Sequence, residues 1–235
     1  MATDIQTQTP ESLAAPIPFL RNGDRLTQAE FLRRYHAMPE LHHAELIEGR
    51  VYMPSPVSAT RHGEPHFDSI TWLGVYRAMT PGVVGGDNST LNLDLDNAPQ
   101  PDGYLRITEQ AGGQTRMEDG YLVGAPELVV EVAASSVSYD LHDKLNVYRR
   151  NGVREYLVWR TEDRAMDWFV LINGRFEKLP VGDDGILRST VLPGLWLDPA
   201  AVIRGDLRRA LEVLNLGIAD ASHEAFVEKL KSPEA

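Results

Sequence analysis

A chain of 235 residues, 43% of them apolar, carries enough material for one sizeable core and a small appendage, but not for two full-sized domains. Its formal net charge of −11 works against binding a polyanion, so contact with nucleic acid requires a local basic face or divalent cations that mask carboxylates. The absence of cysteine excludes disulfides, thiolate zinc sites and cysteine nucleophiles, and fits the reducing cytoplasm.

Residues 1–18 are rich in Thr, Gln, Ala and Pro, lack hydrophobic period and read as a flexible leader. They have neither the basic start nor the apolar core of a signal peptide, and no run of about 18 apolar residues occurs anywhere, so no membrane span is expected. Thr27-Gln28-Ala29-Glu30 has capping-box spacing; with Phe31, Leu32 and Tyr35 behind it, a helix should run from Thr27 to near Pro39. Residues 45–53 read as two short strands folded at Glu48-Gly49 and ending against Pro54 and Pro56, with Glu45 at the start. From Glu64 to Met79, Phe67, Ile70, Leu73 and Tyr76 recur every three residues and predict a buried helix face, stopped by Pro81-Gly82. Leu91, Leu93 and Leu95 alternate with polar residues as in a half-buried strand, and a second strand starts near Asp102 with Tyr104 and Leu105. Residues 108–124 are polar and glycine-rich, and read as a loop.

The run Leu128-Val129-Val130-Glu131-Val132-Ala133 is typical of a central strand covered on both faces, where an ionised glutamate costs on the order of several kcal/mol unless paired or metal-bound. Residues 140–151 then read as a helix with Leu141, Leu145 and Tyr148 on one stripe, Lys144 on its edge and Asn151-Gly152 as the stop. Glu155–Arg160 completes a strand-helix-strand unit that predicts parallel neighbours. Residues 168–172 and 175–179 form a hairpin at Asn173-Gly174; Pro193-Gly194 and Asp198-Pro199 punctuate the end of the sheet, and helices near 206–216 and 221–231 close the chain. The expected class is α/β.

Mg²⁺ prefers carboxylate oxygens and keeps several waters, so about two acids at adjacent strand ends can hold a catalytic ion. Asp102 and Glu131 occupy such positions. Lys144, on the helix after the Glu131 strand, is placed to steady charge on a pentavalent phosphate, and Glu45 to hold a second ion or take a proton from water. Each residue alone has a plainer reading: a strand acid is usually solvated or salt-bridged, and Lys144 alone reads as a snorkelling edge residue beside Leu141 and Tyr148. Only the combination points to chemistry.

The ordered series Glu45-Leu46-Ile47-Glu48-Gly49, Ser55-Pro56, Arg61-His62, Pro101-Asp102, the stretch from Pro126-Glu127 to Glu131-Val132, Asp140, Lys144, Tyr148, Gly152-Val153, Glu155-Tyr156 and Leu192-Pro193-Gly194-Leu195 resembles the Uma-two restriction endonuclease family, within the PD-(D/E)XK nuclease superfamily. The resemblance covers roughly residues 25–200. It implies a restriction-endonuclease-like central mixed sheet flanked by helices, with an N-terminal helix and hairpin. It also implies Asp102, Glu131 and the Val132 carbonyl as Mg²⁺ ligands, with Mn²⁺ as a possible substitute; Glu45 as helper carboxylate; and His62 facing substrate. Two departures stand out: Ala133 occupies the superfamily's usual lysine position, which shifts that role to Lys144, and Gly103 follows Asp102 where a strand-forming residue is more usual.

The expected organisation is a leader (1–18), a nuclease domain (19–204) and a C-terminal helical extension (205–235). The expected function is metal-dependent hydrolysis of DNA phosphodiesters, by a homodimer if both strands are cut. The competing reading keeps the fold as an idle scaffold for binding or assembly, supported by the net charge. A histidine metal site at His62 and His66, or at His42-His43, is a lesser alternative. No G-x-S-x-G elbow, phosphate loop or dinucleotide fingerprint occurs. Loss of the Glu131 carboxylate should relieve desolvation and repulsion from Asp102, so that Glu131→Ala gains stability without metal.

Overall fold

A computed structural model of the protein describes residues 16–53, 58–134 and 136–232. The first 15 residues of the expected leader, the stop at Pro54 and Pro56, and the Ser55-Pro56 pair lie outside the described residues.

Thr27 caps helix α1 (Gln28–His36), its hydroxyl accepting the Glu30 N–H. Strands β1 (Glu45–Ile47) and β2 (Arg50–Tyr52) form the expected hairpin, its turn made by Glu48 and Gly49 with φ of 52° and 69°, as a two-residue type I′ turn requires. Phe31, Leu46, Val51 and Ala98 give this N-terminal unit a small core of its own.

A π-helical turn (Ala59–Gly63) leads into α2 (Glu64–Met79). The buried face differs from the expected one. Ser69, Trp72, Leu73 and Tyr76 are buried, whereas Phe67 is 70% exposed. Phe67 and Tyr76 are nine residues apart, about two and a half turns at 3.6 residues per turn, so they point to opposite sides. Strands β3 (Val83–Gly86), β4 (Leu91–Asn92) and β5 (Gly103–Ile107) follow. The expected strand through Leu95 stops early: Asp94 Oδ1 accepts the Asp96 N–H and the Asn97 amide, folding a turn that leaves Leu95 80% exposed.

The expected loop at 108–124 holds a hairpin instead, β6 (Arg116–Glu118) and β7 (Tyr121–Val123), turning on Asp119-Gly120 with both φ positive. It buries Leu122 and pairs β7 in parallel with β4. Strand β8 (Leu128–Ala133) is buried at every residue. After it, α3 (Val137–Tyr139), a second π-helical turn (Asp140–Lys144) and α4 (Leu145–Asn151) form one helical segment that begins earlier than the sequence indicates and ends at Gly152, φ 83°. Strands β9 (Glu155–Arg160), β10 (Ala165–Ile172) and β11 (Arg175–Lys178) come next, then the ribbon β12 (Leu187–Arg188) and β13 (Trp196–Leu197). Helices α5 (Pro199–Ile203), α6 (Leu207–Ile218) and α7 (Ala221–Lys231) complete the chain.

The main sheet has six strands in the order β11-β10-β9-β8-β5-β3; β8 and β9 are parallel and every other pair is antiparallel, so it is mixed as expected. Alternation along β8 sorts its side chains. Leu128 and Val130 face the larger core with Trp72, Leu105 and Trp168, which Ala210, Leu214 and Leu230 of α6 and α7 also join. Val129 and Ala133 face a second core with Tyr148 and Tyr156, and Glu131 lies between them on that face. At the base of β9 the Glu155 carboxylate accepts bonds from the Ser189 and Thr190 hydroxyls, the Thr190 and Val191 amides and the Trp168 indole. These pin the turn before β13 to the sheet. Among the described residues no helix is long and apolar enough to cross a membrane.

Candidate active site

The pairing of β5 with β8 explains why Asp102 and Glu131 meet. Gly103 is registered opposite Val130, and one further antiparallel step sets Asp102 against Glu131. The Val132 N–H donates to Asp102 Oδ2 at 2.6 Å, and His66, in the first turn of α2, donates to the Asp102 carbonyl at 2.8 Å. Both contacts fix the aim of Asp102 despite Gly103. Any larger residue at Gly103 would press on Leu73 and Ile70, whose side chains come within 3.0 and 3.1 Å of where its Cβ would stand.

Lys144 is not on the edge of a stripe but buried, with its ammonium among three carboxylates. The π turn widens the helix at Asp140–Lys144 and turns both end residues inward, an irregularity frequent at functional sites. Lys144 Nζ lies 2.9 Å from Glu45 Oε1, 3.0 Å from Glu131 Oε1 and 3.8 Å from Asp140 Oδ1. The Tyr148 hydroxyl also donates to Glu131 Oε1, at 2.8 Å, and the Gln100 N–H donates to Glu45 Oε1, at 2.7 Å. Among the described residues nothing hydrogen-bonds Glu131 Oε2.

Four predicted residues, Glu45, Asp102, Glu131 and Lys144, therefore meet at the floor of one cleft of about 1000 Å³. His62 meets them there, though not as a residue turned to the cleft alone: Nδ1 lies 2.9 Å from the Val132 carbonyl oxygen and Nε2 3.2 Å from Asp102 Oδ1. Three participants escaped the sequence reading of roles. Asp140 was visible four residues before Lys144, the spacing of helical neighbours; Tyr148 was assigned to core, and His66 had only its spacing from His62. Among the described residues no three His, Asp or Glu side chains are arranged as a metal-holding group, neither at the histidines nor at the carboxylates.

The charges do not balance. Burial works against the Lys144 ammonium, yet the Glu131, Glu45 and Asp140 carboxylates outweigh it and hold its pKa well above the usual lysine value. Burial pushes Glu131 upward against the pull of Lys144, and raises Asp140 likewise. Burial also works to raise Asp102, but the hydrogen bond and charge of His62 more than offset it and hold that carboxyl below its ordinary value. His62 is raised in turn, chiefly by Asp102. Counted as ionised, four carboxylates face one ammonium and one imidazole, an excess that the upward shifts of Glu131 and Asp140 work against in the absence of a further cation. The oxygen-rich donor set lining the cleft is of the chemistry a hard divalent cation takes, since such an ion needs only a few protein oxygens and completes its shell with water.

A family model described as "Uma2: Putative restriction endonuclease" matches residues 29–200. The fold is similar to that of a crystal structure described as "a putative nuclease belonging to DUF820" from Anabaena variabilis ATCC 29413, with a TM-score of 0.53 and 14% identity over 73% of this chain and 98% of that one. No curated protein matches. The family match spans most of the chain and includes every residue of the cleft floor: the protein belongs to the Uma2 family.

Proposed function

We propose that the protein is a metal-dependent endonuclease that hydrolyses DNA phosphodiesters. The observation that carries this reading is the cleft floor, where buried carboxylates outnumber the cations available to them. Membership of a family described as "Putative restriction endonuclease" supports it.

Asp102, Glu131 and the Val132 carbonyl would hold Mg²⁺, or Mn²⁺ in its place; the ion supplies a Lewis acid for a phosphoryl oxygen and lowers the pKa of water. Lys144 is rigidly held and positively charged, so it can steady negative charge developing on the phosphate without reorganising. Glu45, oriented by the Gln100 N–H, is the residue to take a proton or hold a second ion. Tyr148 aims Glu131, and His66 aims the backbone at Asp102. Cutting both strands would require two such sites, hence a two-fold dimer.

The test is thermal unfolding of wild type and of Asp102→Asn/Glu131→Gln with and without Mg²⁺ or Mn²⁺, with plasmid nicking on the same samples. A metal-dependent rise in Tm and nicking are expected for wild type alone. A folded wild type with neither response would leave the idle scaffold as the better reading, which the net charge of −11 already favours.

A further inference from the structure

We infer that Arg25 and Arg50 form a two-pronged clamp for the phosphate backbone of the DNA strand that enters the cleft. The inference rests on the nuclease reading above and names residues that position the substrate from outside the cleft floor.

Residues 23–26 run along β2 and extend the N-terminal hairpin. The Gly23 N–H donates to the Val51 carbonyl at 2.8 Å, the Val51 N–H to the Asp24 carbonyl at 2.9 Å and the Leu26 N–H to the Gly49 carbonyl at 2.8 Å. This pairing sets Arg25 directly opposite Arg50 in an antiparallel bridge. Opposed residues project from the same face, where like charges work against the pairing. Both residues are exposed, and among the described residues neither forms an ion pair. The carboxylates closest to them in sequence are engaged elsewhere: Asp24 with Arg34 at 3.6 Å and Glu48 with Arg150 at 2.7 Å. Two guanidinium groups held side by side without a counter-charge suit an anion with several oxygens, and a phosphate diester is such an anion.

The register also directs the pair towards the site. Val51 faces the small core of the N-terminal unit, so by strand alternation Arg50 and Tyr52 share the other face. Tyr52 is registered opposite Glu45, and both line the cleft. Arg25, Arg50, Tyr52 and Glu45 therefore follow one another along a single face that leads from the exposed edge of the hairpin to the cleft floor. Arg50 stands two residues, about 7 Å of strand, from Tyr52. Two arginines cannot reverse a net charge of −11, but phosphate contacts fix orientation, and these two set the direction in which a strand leaves the cleft.

The test is the affinity of the full chain in Mg²⁺ for a fluorescent DNA duplex with phosphorothioate linkages. It compares wild type, Arg25→Gln/Arg50→Gln and Arg175→Gln/Arg204→Gln, each checked for cooperative unfolding. Arg175 and Arg204 are exposed, lie off the N-terminal hairpin and the cleft lining, and form no ion pair among the described residues, so their variant removes the same charge elsewhere. Arg25→Gln/Arg50→Gln should weaken binding about fivefold, the order of two exposed ion pairs. It should also flatten the dependence of affinity on KCl, because fewer counterions are released, while the Arg175 and Arg204 variant stays near wild type in both. Wild-type affinity in Arg25→Gln/Arg50→Gln, or an equal loss in the other variant, would overturn the inference and leave the nuclease reading standing. Absence of duplex binding by folded wild type would overturn the inference together with the DNA reading.

Discussion

Glu131 shows how a carboxylate in an apolar strand can be anything but isolated. From its neighbours in sequence it reads as a desolvated charge whose removal relieves the fold, but its Oε1 accepts from both Lys144 and Tyr148, each buried. Glu131→Ala would strand the Tyr148 hydroxyl and weaken the compensation of a buried ammonium, so the expected gain in metal-free stability becomes a loss. Lys144→Met is the harsher change, because it leaves Glu131, Glu45 and Asp140 with no ammonium among them. Breaking a buried pair from one side costs about 3–5 kcal/mol. Urea unfolding without metal should therefore rank wild type above Glu131→Ala and Glu131→Ala above Lys144→Met. A Glu131→Ala protein as stable as wild type would mean that desolvation relief wins after all.

Elements were legible where a local rule decides them, and misread where tertiary pairing does. The capping box at Thr27, the turns at Glu48-Gly49 and Asn173-Gly174, the buried run of β8 and the stop at Gly152 all carry their own chemistry. By contrast, β6 and β7 are three residues each, and β7 gains from its pairing with β4, a partner no local pattern reveals. The Lys144 position was mistaken because a regular helix was assumed where the chain makes a π turn. For the site, acids and lysine were legible as a set, but not the contacts of His62 with Val132 and Asp102, which depend on where the π turn before α2 sits against the sheet. Helix α6 gives a further case. Gly217 lies just past the helix expected near 206–216 but inside α6, and a Cβ there would stand 2.3 Å from the Gly194 carbonyl oxygen and 2.7 Å from the Trp196 ring. Gly217 lets α6 press directly on the turn before β13, the turn that Glu155 pins. Gly217→Ala should cost about 1–3 kcal/mol by overpacking, despite alanine's better helix propensity. Thermal unfolding at neutral pH checks this, and an unchanged or raised Tm would show that α6 can back away without loss.

At the scale of the whole molecule, the charge of −11 and the chemistry proposed for the cleft pull in opposite directions. Among the described residues the cleft is lined by two basic side chains besides histidine, Arg61 and Lys144, and each is already paired: Arg61 with Glu162 at 2.8 Å, Lys144 with its carboxylates. Little positive potential is left over for a phosphate backbone, and the remainder of the protein repels one. Divalent cations would reverse this locally by neutralising Asp102 and Glu131 and by bridging to phosphate oxygens. Affinity for DNA should then be set by the metal more than by lysine and arginine. A fluorescent duplex with phosphorothioate linkages, chosen to slow hydrolysis, should bind more than about tenfold more tightly in Mg²⁺ than in EDTA at matched ionic strength. The Asp102→Asn/Glu131→Gln protein should lose most of that difference. Equal binding in EDTA would locate a basic surface outside this cleft, and the electrostatic argument for metal-gated recognition would fail.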